Sequence, residues 1–256
     1  MQHEQTSTAR TAPEAPARVP PKVPIPPAVL LSPDSPLHAR PAALHRRQAL
    51  ALDGISDSID MTIIAYRQLR VALWTDMQMI DQPASRPVYL QTIMSAWTIV
   101  DAAHRLRVLV RKLPGLKNGP AKSLFLKAVE QVERLRHAVQ HLDGEIEQLL
   151  ANGQPLWGFL TWVKADGPDD VPVIGILLPG ALGPTWEVRA RPFGRDIEVP
   201  IGLIELTAAG MTVSLTDVVA IIQRFARSLE RAAAEAFSAI PAGATNFRAT
   251  FDPSLD

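Results

Sequence analysis

Arginine and histidine recur along one helical segment in a pattern that suits work on a phosphodiester. Residues 130–143 read EQVERLRHAVQHLD, with cations at Arg134 and Arg136 and imidazoles at His137 and His141. At about 100° per residue, Glu130, Arg134, His137, His141 and Glu145 fall within an arc of about 80°. That arc lies away from the apolar stripe of Val132, Leu135, Val139, Leu142, Ile146 and Leu149. The segment is therefore expected to carry a polar ridge beside its core face. A guanidinium is a permanent cation that donates in a fork to phosphate oxygens, and an imidazole titrates near neutral pH and so moves protons.

Arg136, four residues, then His141 resembles the Arg-x(4–6)-His motif of HEPN proteins (higher eukaryote and prokaryote nucleotide-binding). The resemblance covers about residues 52–151. It implies a short helical bundle, often dimeric, of the kind found among metal-independent endoribonucleases of bacterial toxin–antitoxin and defence systems. It also implies roles: Arg136 holds the scissile phosphate, and His141 moves the proton of the 2′-hydroxyl or of the leaving oxygen. Arg134, His137 and Glu133 are the supporting residues of the ridge. Two features depart from the family. His137 follows the arginine where Asn or Asp is usual, and strand-like sequence precedes the last helix. On a regular helix an i,i+5 pair is about 140° apart, so joint contact with one phosphate calls for long side chains or a second subunit.

A second cluster lies upstream. Asp101 and His104 are spaced i,i+3, so the carboxylate can orient the imidazole, and His104, Arg107 and Arg111 share a face with Trp97. If the two helices are antiparallel neighbours, Asp101, His104 and Arg107 approach the ridge. Trp97 reads as a core anchor. His137 and His141 also have the i,i+4 spacing that lets two imidazoles share a metal ion, with Glu130, Glu133 or Glu145 as a third ligand. The metalloprotease form requires Glu directly after the first His, where Ala138 stands. No metal site and no cofactor are expected on this reading.

Composition narrows the classes further. The chain has 256 residues, 26 basic and 26 acidic side chains, and a formal net charge of zero, which excludes a uniformly basic coat for nucleic acid. It has no cysteine, so disulfide scaffolds, thiol nucleophiles and iron–sulfur clusters are excluded. Residues 100–136 nonetheless hold nine basic and three acidic side chains, a local net charge of +6. The strand-like region is acidic by contrast. Such a basic surface attracts a polyanion, an acidic protein patch, or the chain's own sheet. There is no Walker loop, no G-x-S-x-G elbow and no dinucleotide fingerprint. The first residues, MQHEQTSTAR, lack a basic region followed by an apolar stretch, so a cytoplasmic protein without membrane contact is expected. The composition suits a bacterial protein.

The elements that must position these residues follow from periodicity and breakers. Ten prolines between residues 11 and 41 predict a disordered tail over 1–41. A helical bundle is expected over 42–153, from three long helices near 54–79, 88–113 and 120–151. Asp53 reads as the first N-cap, and Pro114-Gly115 ends the second helix. A small antiparallel meander is expected over 154–215, with strands at 171–178, 185–190, 199–207 and 211–215. Thr216 reads as the cap of a C-terminal helix over 216–240, and 241–256 as a second loose end. The expected class is α+β: an antiparallel bundle of three long helices, a small antiparallel sheet, and a C-terminal helix packed on the bundle. The expected function is HEPN-like RNA binding, with endoribonuclease activity, in a homodimer that meets RNA and a protein partner such as an antitoxin. The alternative is a non-catalytic interaction or scaffold protein that uses the exposed helix face and the proline-rich tail.

Overall fold

The computed structural model describes residues 31–78, 86–140, 155–164, 173–178 and 201–254. Its order is α1 (Arg46–Gln78), α2 (Arg86–Lys112), α3 (Pro120–Ala128), α4 (Glu130–Gln140), β1 (Phe159–Lys164), β2 (Val173–Leu177), β3 (Ile201–Ala208), β4 (Met211–Ser214) and α5 (Leu215–Ser238). The class is α+β. No helix among the described residues is long and apolar enough to cross a membrane.

The stripe Ile55, Ile59, Ile63, Leu69 and Leu73 of α1 is fully buried and packs on Ile99, Val100, Ala103, Leu106 and Val110 of α2. Gly54, early in α1, abuts Leu109, late in α2, so the two long helices run antiparallel. Helix α1 starts eight residues before the expected position. Asp53 is thus inside the helix, where its carboxylate pairs with Arg40 instead of capping.

The expected third long helix is interrupted, giving α3 and α4 among the described residues. The backbone leaves the helical path at Val129 (φ −90°, ψ 6°), which separates α3 from α4. Neither Gly nor Pro marks the break. Val129 is fully buried, as are Phe125 before it and Val132 and Leu135 after it, so the bend serves packing on two different neighbours. Phe125 stacks on Phe225 of α5 at 4.5 Å, while α4 lies along α2. The expected continuation to residue 151 lies outside the described residues.

Among the described residues, four strands form one antiparallel sheet in the order β2-β1-β3-β4. A meander would place β2 between β1 and β3; here β1 is central and pairs with both. Strand β1 was missing from the expected set because FLTWVK lacks clean alternation: Trp162 and Val163 are both buried beside a register shift. Leu203 (φ +48°) is the extra residue of that bulge. The turn at Ala209-Gly210 lies where expected, with positive φ at both residues, as a two-residue hairpin requires. The expected strand at 185–190 lies outside the described residues.

Helix α5 buries Val218, Val219, Ile222, Phe225, Leu229 and Ala233. Its cap is Ser214, whose hydroxyl accepts from the Asp217 N–H at 3.2 Å. Thr216 serves elsewhere: its Oγ1 accepts from the Ile204 N–H at 2.9 Å and bonds the Tyr66 hydroxyl at 3.0 Å, tying the sheet to α1.

Both ends of the described chain are packed where looseness was expected. Leu31 and Leu37 are buried, so residues 31–41 belong to the fold. Near the C-terminus, Phe247 bridges to Leu44 and Phe251 to Leu116. Gln48 is buried, and its side-chain amide donates to the carbonyls of Pro114 and Ala249 while its oxygen accepts from the Ala249 N–H.

Candidate functional site

The ridge and the upstream cluster meet. Helices α2 and α4 pack side by side, and their apolar stripes set the register: Ala103, Leu106 and Val110 on one, Val132, Leu135 and Val139 on the other, all buried. Asp101, His104 and Arg107 stand beside the α2 stripe. Glu133, Arg136 and His137 stand beside the α4 stripe. The six residues form one half-open polar seam.

Three contacts bind its two sides. The Arg136 Nε–H donates to the Asp101 carboxylate at 2.6 Å, and its Nη1 donates to Gln140 Oε1 at 2.8 Å. Arg107 pairs through Nη1 with Glu133 and donates through Nε to the Leu126 carbonyl at 3.3 Å. The rings of His104 and His137 lie edge to face with centroids 5.7 Å apart. A guanidinium has five N–H donors, so Arg136 keeps three beyond its two bonds among the described residues.

Burial pushes His104 below the ordinary imidazole range; nearby Arg136 and His137 press the same way, while Glu133 and Asp101 oppose them. Its Nδ1 is buried and has no hydrogen-bond partner among the described residues. His104, Glu133 and His137 each present a ligand atom, all within 4.8 Å of one another.

The expected residues are thus distributed unevenly. Asp101, His104, Arg107, Glu133, Arg136 and His137 converge. Arg134 points away, exposed, and pairs with Glu130 one turn earlier. His141 lies outside the described residues. Gln140 joins the site unforeseen; its signal is the i,i+4 spacing from Arg136. The imidazole that the fold sets against His137 is His104, from the neighbouring helix. Trp97 is half-buried and packs against the core, as expected; its indole N–H also donates to the Trp157 carbonyl at 3.0 Å, and the two rings meet edge to face. An open groove of about 680 Å³ between α3 and α5, lined by Leu124, Phe125, Ile221 and Arg224 among others, includes no residue of the seam.

The chain matches no known family, no curated protein and no solved structure. Its chemistry is therefore read from the seam itself.

Proposed function

We propose that the protein is an RNA-directed, HEPN-like protein of bacterial toxin–antitoxin or defence type, a metal-independent endoribonuclease working as a homodimer at the α2–α4 seam. The observation that carries this reading is the convergence of Arg136 with the Asp101–His104–Arg107 cluster, across two helices, at one half-open surface. Asp101 is a positioning residue. By holding Nε it fixes the plane of the guanidinium, and the remaining donors suit a phosphate oxygen. In the reaction, His141 moves the proton. The 2′-oxygen bonds to phosphorus, the P–O5′ bond breaks, and the products are a 2′,3′-cyclic phosphate and a 5′-hydroxyl.

The test is cleavage of end-labelled RNA in EDTA by the full chain. Wild type is expected to yield cyclic-phosphate ends. Arg136→Ala and His141→Ala are expected to lose about 10²-fold or more in rate, with unchanged circular dichroism. Equal cleavage by the folded variants, or no cleavage of structured and unstructured RNAs by wild type, overturns the reading.

A second reading, a non-catalytic interaction protein, is favoured by one feature. Both arginines of the ridge and Arg107 of the upstream cluster have a carboxylate partner in their own chain: Arg134 with Glu130, Arg136 with Asp101, Arg107 with Glu133. It predicts partner capture that survives His141→Ala and weakens on deletion of residues 1–30, a truncation that leaves the packed residues 31–41 in place.

A further inference from the structure

We propose that His104, Glu133 and His137 form a binding site for one divalent transition-metal ion that bridges α2 to α4. This goes beyond the RNA reading and does not depend on it.

The donor set is two imidazoles and a carboxylate, a combination suited to borderline first-row ions such as Zn²⁺, Co²⁺ or Ni²⁺ rather than to Mg²⁺ or Ca²⁺. Glu133 and His137 are one turn apart on α4, the spacing at which two side chains reach one point. His104 enters from the neighbouring helix. The three ligand atoms already lie within 4.8 Å of one another. Around a tetrahedral ion with bonds near 2.0–2.1 Å they would lie about 3.3 Å apart, so side-chain rotation closes the set.

Two further observations point to a ligand. His104 Nδ1 is buried without a hydrogen-bond partner among the described residues, so the ring carries a polar atom that they leave unanswered. Arg107 engages one oxygen of Glu133 and is itself anchored on the Leu126 carbonyl, which orients the carboxylate and leaves its other oxygen available. The nearby charges are balanced before any ion arrives, with Arg107 and Arg136 set against Glu133 and Asp101. His137 is exposed, so the site opens to solvent and can keep a position for water or an anionic ligand.

The pair suggested by spacing alone, His137 with His141, is the competing arrangement, and one experiment separates the two. Untagged full-length protein, stripped with EDTA and dialysed, is titrated with Zn²⁺ by calorimetry and with Co²⁺ by visible absorption. One equivalent is expected to bind and to raise the melting temperature. His104→Ala and His137→Ala, each confirmed as folded by circular dichroism without metal, are expected to weaken binding at least tenfold. No stoichiometric binding, unchanged affinity in His104→Ala, or loss in His141→Ala with retention in His104→Ala each overturns the site. RNA cleavage in EDTA is scored separately, so failure of one proposal leaves the other standing.

Discussion

Lys122 carries an ammonium into the core of the first turn of α3. It is buried, and among the described residues its Nζ reaches only the Leu116 carbonyl, at 3.4 Å. Burial lowers its pKa, because removing the charged form from water is costly. The sign follows. The folded pKa lies below the unfolded one, so the native state is penalised wherever the unfolded chain is protonated, and the penalty fades as pH rises through the folded pKa towards the unfolded value near 10.4. Lys122→Met is expected to stabilise the protein at pH 7 by about 1 kcal/mol, or roughly 2–4 °C in melting temperature. The difference from wild type should shrink in melts taken at increasing pH between 8 and 10.5. A stabilisation independent of pH would contradict the charge as its cause. At this scale much of the site was legible in the sequence. Asp101 and His104 at i,i+3, and Glu133 and His137 at i,i+4, are local spacings that survive in any helix. Which imidazole meets which was not legible, because His104 and His137 are brought together by the lateral packing of two helices.

At the scale of the element, the sheet depends on one missing side chain. Gly175 of β2 faces Trp162 of β1 across the ladder, and a Cβ built there would lie 2.1 Å from the indole. Trp162 is fully buried and has no room to retreat. Gly175→Ala is therefore expected to cost about 1–3 kcal/mol by overpacking, read as a lowered denaturant midpoint with a Trp162 fluorescence change. Unchanged stability would show that the indole is not fixed by its neighbours. The helices α1, α2 and α5 were legible because each has a long apolar stripe of period 3.6 and, for the last two, clear turn residues at one end. The break at Val129 and the central strand β1 were not. One is a bend without Gly or Pro; the other is a strand buried at two successive positions, opposite the bulge of β3. Both arise from tertiary packing, which overrides the local pattern.

At the scale of the whole molecule, proline and chain position misled in the same way. Residues 31–41 and 241–254 look loose from composition, yet they wrap the start of α1 and the α2–α3 turn through Leu37, Gln48, Phe247 and Phe251. Burial of a few large apolar side chains and three bonds from one glutamine outweighs a breaker-rich sequence. The polar seam stands apart from this wrapping, built on the buried stripes of α2 and α4. A site on rigid helices is held more closely than one on loops, and the seam has that support.

The central claim is that RNA meets the protein at this seam. The most direct measurement follows the imidazole ring resonances of the six histidines, assigned by substitution, during titration with single-stranded RNA in EDTA. The account predicts that His104, His137 and His141 shift in a saturable, salt-sensitive manner, while His38 and His45 stay in place. Saturable shifts at His38 and His45 alone, or none at any histidine, would contradict it.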